Sequence, residues 1–142
     1  MFLECSIYIF IRKDKDIFSM SSKGERRCKY IVERMLKRSF HKARPDFLKN
    51  PKTNRNLELD LYNDTLKISI EFNGIQHYEY TERFHKTYKD FRRQLERDTL
   101  KKQLCRANNV FLICIPFNCS DIHRRISARL RVRDRLLLQP SS

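Results

Sequence analysis

Hydrophobic and polar residues alternate from Asn56 to Asn73. Leu57, Leu59 and Leu61 fall on one side, and Glu58, Asp60 and Tyr62 on the other. After Asn63-Asp64-Thr65 the alternation resumes, with Leu66, Ile68, Ile70 and Phe72 set against Lys67, Ser69, Glu71 and Asn73. Two runs of period two around a polar turn predict a β-hairpin with one buried face. If Asp64-Thr65 is a two-residue loop, Asp60 lies opposite Ser69 and Glu58 opposite Glu71. Asp60 and Glu71 are then diagonal neighbours, about 7–8 Å apart at the backbone. Three carboxylates on one patch of sheet repel one another, so a cation or a basic ligand is expected there.

Elsewhere the period is helical. Ser22 and Glu25 have the spacing of a capping box, and Cys28, Ile31, Val32, Met35 and Leu36 follow as an amphipathic stripe. Residues 40–55 are basic and broken by Pro45 and Pro51, which predicts a short strand or extended segment and then a loop. A second helix is predicted from Thr87 to Ala107, with Tyr88, Phe91, Leu95 and Asp98 on one line. A carboxylate on an apolar stripe needs a partner. Arg97, Lys101, Lys102 or a basic group across the core are the candidates.

Asn108-Asn109 has the form of a left-handed helix end. Val110 to Ile115 then reads as a strand buried on both faces, reached by a crossover onto the same sheet. Asp121 opens a third helix with Ile122, Ile126, Leu130 and Leu137 inward and arginines over the remainder. The expected class is α/β, a mixed β-sheet flanked by α-helices. Residues 1–20 form an apolar strand-like extension, 21–138 one domain that includes the basic C-terminal helix, and 139–142 a tail.

The charge changes the picture more than the composition does. Thirty-one Lys and Arg against 17 Asp and Glu give a net +14, which suits a polyanion, above all nucleic acid. Lys42, Arg44, Lys101, Arg124 and Arg125 are the candidate phosphate contacts. The apolar run from Phe2 to Ile11 is too short to span a bilayer and lacks the features of a secretory signal, so no membrane partner is expected. It is a candidate edge strand or a surface for homodimer formation. Five cysteines without scaffold spacing point to free thiols in an intracellular, reducing compartment, cytoplasm or nucleus.

The order of these pieces is a helix with an early Glu25, a sheet with Asp60, a strand ending Glu71-Phe72-Asn73, a long helix and a buried strand. This order resembles the PD-(D/E)XK, or restriction-endonuclease-like, nuclease superfamily. Within it, Glu71 to His77 together with Arg97-Asp98 and Lys101 is most similar to the very-short-patch-repair endonucleases and a related restriction-like group. The resemblance covers residues 25–116. It implies a restriction-endonuclease-like core and a divalent-metal-dependent endonuclease that hydrolyses phosphodiester bonds in DNA, with structure selectivity compatible with the fold.

By the same resemblance Asp60 and Glu71 are metal ligands, Glu25 is an auxiliary ligand, and Gln76 and His77 contact the scissile phosphate or position water. Hard oxygen donors favour Mg2+, with Mn2+ as a substitute. One position departs from the pattern. Asn73 stands where the superfamily usually has lysine, and His77, Gln76 or Lys101 are the residues that would take over its role; Asn73 itself can hydrogen-bond or ligate. Glu58 is expected to be peripheral and Asp98 structural. The rival readings are a nucleic-acid-binding module that does not cleave, and an RNA nuclease.

Overall fold

Ser22 starts the first helix by accepting the Glu25 N–H on its Oγ at 3.1 Å. In this computed structural model, which describes residues 22–140, α1 (Lys23–Leu36) ends where Lys37 turns left-handed at φ 54°. β1 (His41–Ala43) follows, then a 3-10 turn (Asp46–Leu48) and a small hairpin of β2 (Lys49–Asn50) and β3 (Arg55–Asn56). β4 (Leu59–Asn63) and β5 (Ile68–Asn73) lead to a second 3-10 turn (Ile75–His77), α2 (Tyr88–Ala107), β6 (Phe111–Pro116) and α3 (Ile122–Leu137). The expectations for residues 1–20 and for the last two residues of the tail lie outside the described residues.

The main sheet has the order β1-β4-β5-β6. β1, β4 and β5 pair antiparallel, whereas β6 returns through α2 to pair parallel with β5. The sheet is therefore mixed, and helices cover both of its faces. Cys28 and Val32 of α1 and Ile122 and Ile126 of α3 pack with Ile68, Ile70, Ile113 and Ile115 on one side. Cys105 and Leu104 of α2 pack with Leu59, Tyr62, Val110 and Leu112 on the other. The chain is an α/β protein with a mixed sheet between helical layers. Among the described residues no helix is long and apolar enough to cross a membrane.

The hairpin forms, but with a different register. Tyr62 pairs with Ser69 and Leu61 with Ile70, so the loop is four residues, Asp64 to Lys67. Asn63 Oδ1 accepts the Leu66 N–H at 2.8 Å, and Lys67 closes the loop at φ 54°. This side-chain turn and the left-handed residue hold a longer loop than a two-residue one. Pairing of β4 with β5 runs as far as Leu61 and Ile70, and just beyond it the Asp60 backbone N–H meets the Glu71 side chain rather than standing diagonal to it in a regular ladder. Glu58 is carried beyond the pair.

The alternation along β4 also breaks. His41 pairs with Tyr62 but Ala43 with Leu59, so three steps of β4 answer two of β1. Such a bulge turns side chains over. Leu61 packs beneath α1 and α3, while Leu57 and Leu59 pack beneath α2. The single apolar row expected from Leu57, Leu59 and Leu61 is split between two cores.

Two helices outlast the surface that their stripes were expected to cover. The first half of α2 lies over the Ile75–His77 turn, so Tyr88 (63% exposed) and Leu95 (39%) face outward while Phe91 and Cys105 are buried. Leu137 of α3 is 68% exposed where an inward position was expected. Gly24 has a packing reason: a Cβ there would fall inside the Phe72 ring.

Candidate active site

The site gathers at the carboxyl end of β5. Asp60 donates its backbone N–H to Glu71 Oε1 at 2.9 Å, which ties the two acidic residues across adjacent strands. Glu71 Oε2 accepts from Lys101 Nζ at 2.7 Å, reached from the middle of α2. Asn73, two residues on and so on the same face as Glu71, shares a recess with Glu71, Asp98 and Lys101. Lys101 was expected as a phosphate contact or as a substitute for the missing motif lysine. It lies in the acidic cluster.

Glu25 approaches from the start of α1. Its carboxylate draws on the Ser22 backbone at the helix cap and on Lys42 Nζ at 3.5 Å, while its field reaches Asp60. Lys42 also bridges to Glu58 at 3.1 Å, and Arg44 to Glu58 at 2.9 Å. Lys42 and Arg44 thus form a basic rim whose partners in the free protein are carboxylates. Glu58 belongs to that rim. Arg124 and Arg125 stand exposed at the start of α3, just past Pro116, which pairs with Asn73. Arg125 Nε reaches the Cys114 carbonyl at 3.4 Å.

The electrostatics record burial first and charge second. Burial pushes the Glu71 carboxyl up to about 7; the Lys101 charge opposes this and the Asp60 charge adds to it. Asp60 is raised by burial, against Lys101 and Lys42, with Glu58 pushing it further up. Glu25 is raised by burial and then by Asp60. For Lys101 burial pulls downward, but the charges of Glu71, Asp60 and Asp98 outweigh it and hold the ammonium on. Burial is the leading cause at all three carboxyls, and a cation bound among them would favour their charged forms.

Among the described residues no three His, Cys, Asp or Glu side chains already converge as a metal cage. The donor set still offers a hard cation two carboxylates, Asp60 and Glu71, from neighbouring strands, with Glu25 within electrostatic reach of Asp60. One or two carboxylates completed by water is how Mg2+ is commonly held.

A second group adjoins the first. His77 Nδ1 lies 2.8 Å from Asp98 Oδ2, and Gln94 donates to Asp98 Oδ1 at 2.9 Å. An ionised carboxylate only accepts, so opposite a charged Asp98 the contact calls for an N–H at His77 Nδ1. The partner required by Asp98 is therefore His77, with Gln94, and none of the three nearby basic residues. Gln94 is the residue that sequence reasoning missed. Its one signal was the i, i+4 spacing to Asp98 on α2. Gln76 folds its amide over Gly74, and Asn73 Nδ2 points to the Tyr78 hydroxyl at 3.5 Å.

The chain is 37% identical over 145 residues to "Uncharacterized protein 307L" of Invertebrate iridescent virus 6, covering 92% of this chain and 73% of that protein. The chain belongs to the 307L family. Within that family it is also similar to protein 033L of Invertebrate iridescent virus 3, 41% identical over 78% of this chain and 58% of that protein. Protein 094L of Frog virus 3 (isolate Goorha) is 43% identical over 71% of this chain and 66% of that protein. The chain thus spans less than two thirds of these last two relatives. No protein-family profile and no solved structure matches it. The 307L family gives kinship, and the chemistry has to come from the site.

Proposed function

We propose that this chain is a divalent-metal-dependent endonuclease of the restriction-endonuclease-like type, hydrolysing phosphodiester bonds in DNA. One observation carries the reading. Asp60 and Glu71 adjoin on neighbouring strands, the Asp60 backbone N–H on Glu71 Oε1, with the Lys101 ammonium 2.7 Å from Glu71, and a His77–Asp98 pair stands beside them. That is the equipment for attack by water on a phosphodiester: a seat for a cation, a fixed positive charge and an oriented proton carrier.

Asp60, Glu71 and the adjoining Glu25 would hold Mg2+, or Mn2+ in its place. The ion when bound supplies Lewis-acid stabilisation of phosphate charge and lowers the pKa of water. The chain's own groups do the rest. Lys101 stays protonated beside Glu71 and meets the negative charge that builds on the phosphate, the role for which Asn73 lacks a charge. Asp98 and Gln94 fix the His77 ring so that Nε2 can take or return a proton. Asn73 and Gln76 offer amide donors at the site's edge, while Lys42, Arg44, Arg124 and Arg125 offer charge to the flanking backbone.

A binding module that does not cleave is the second reading, and Asn73 at the usual lysine position favours it. Purified protein incubated with plasmid, single-stranded DNA, branched DNA and RNA, in Mg2+, Mn2+ or chelator, separates the cases. Cleavage of DNA in either metal and none in chelator is expected. Binding without cleavage under every condition supports the module, and cleavage confined to RNA moves the substrate.

A further inference from the structure

The loop between the acidic strand and α2 spends little of its aromatic content on the core. Among the described residues every exposed Phe or Tyr ring except Tyr30 lies here or beside it: Tyr78, Tyr80, Phe84 and Tyr88, with Phe117 after β6. Their exposures run from 40% at Tyr80 to 63% at Tyr88. The buried His85 and Phe91 anchor the group, with Tyr80 stacked on His85 at 5.8 Å and Tyr88 tilted against Phe91 at 5.9 Å. A local core would turn these rings inward. Here an inner pair is buried and the outer rings are presented to solvent.

Position and charge say what the rings meet. Asn73 pairs with Pro116, so the segments after β5 and β6 leave the sheet at the same end as the acidic site. Across that gap Tyr78 packs on Phe117 at 6.1 Å, while the Tyr78 hydroxyl meets Asn73. Cations are interleaved with the rings: Arg83 lies over Phe84 at 5.4 Å, and Lys86, Lys89 and Arg92 are exposed. Between Tyr78 and Arg93 five basic residues stand against three acidic ones. Aromatic faces set among cations fit unstacked nucleobases on a phosphate backbone. A paired duplex hides those base faces in its own stack.

We infer that the Tyr78–Tyr88 loop and Phe117 form a stacking platform for unpaired nucleotides beside the scissile phosphate, which directs the enzyme to flaps, gaps or single strands over continuous duplex. This rests on the nuclease reading, since the strand seated at Glu71 is what brings bases to the rings.

The test is binding by the full-length chain in chelator, where nothing is cut. The probes are a blunt duplex, the same duplex with a single-stranded flap, and the flap strand alone, with 2-aminopurine placed in the flap. Flap and single strand should bind about tenfold more tightly than duplex, with quenching of the 2-aminopurine. The Tyr80→Leu, Phe84→Leu and Tyr88→Leu triple variant keeps apolar bulk, and its melting temperature reports whether it folds. It should bring flap affinity down to the duplex level and leave duplex affinity in place. Single exposed variants such as Tyr88→Ala should each remove part of the preference.

Equal affinity for flap and duplex in the parent overturns the inference, as does an equal loss on both probes in the variants. A flap preference in chelator with no cleavage in Mg2+ or Mn2+ would sink the nuclease reading and keep the platform.

Discussion

In the proposed nuclease Lys101 takes the role of the lysine that Asn73 replaces. Its Nζ lies 2.7 Å from Glu71, from a helix thirty residues further along the chain. Lys101→Met should lower single-turnover cleavage by about 10²–10³, the usual effect of deleting one charge stabiliser, while duplex binding in chelator changes little. Equal loss in both measurements would make Lys101 a binding residue. Asp98→Asn keeps the volume but replaces the charged acceptor facing His77 Nδ1 with a neutral amide that can also donate. It should cut the cleavage rate while substrate binding in chelator and the melting temperature hold, a split that a purely structural role would not produce. The need for a partner at Asp98 was legible in its apolar stripe. Which partner was not, because His77 comes to it across a turn 21 residues away.

Glu71 adds a prediction with a definite sign. Its carboxyl is lifted from 4.5 to about 7 by burial, so between those values the folded metal-free chain holds a proton that the unfolded chain has lost. Stability from this group is full below about 4.5 and is lost as pH rises through about 7. Asp60 and Glu25 are raised as well and act in the same direction. Melting temperature in chelator should fall across that window, Glu71→Gln should flatten the fall, and Mg2+ should restore stability above it. A melting temperature that climbs through the window contradicts the account.

At the scale of elements, periodicity carried most of the fold. The α1 stripe, the β4–β5 hairpin, the long α2 and the crossover to β6 were all legible, because burial on one face writes itself into the spacing of apolar residues. Register was not. It depends on Asn63 and Lys67 choosing a four-residue loop and on a bulge opposite β1, and neither alters the apolar count. The difference matters for the site, since it brings the Asp60 backbone N–H onto the Glu71 carboxylate. The β2–β3 hairpin was hidden by its two-residue strands, which are too short to show a period. Gly24, where α1 presses on Phe72, gives an element-level test. Gly24→Ala should cost about 1–3 kcal/mol by overpacking, seen as a lower midpoint in urea, and should loosen the helix that carries Glu25.

At the scale of the molecule, the proposed function has the charge of +14 gather a polyanion and the acidic site receive its backbone. Affinity for DNA in chelator should therefore fall steeply with salt, by at least about tenfold between 50 and 200 mM. A flat salt dependence would leave the charge without a partner. The most direct measurement of the central claim is single-turnover cleavage of labelled DNA in Mg2+ by the parent, Asp60→Asn and Glu71→Gln proteins, each saturated with substrate and shown to bind it. The account predicts metal-dependent strand cleavage by the parent and a loss of about a thousandfold or more in both variants, with binding retained. Cleavage at parental rate by either variant, or none by the parent in any divalent metal, would contradict it.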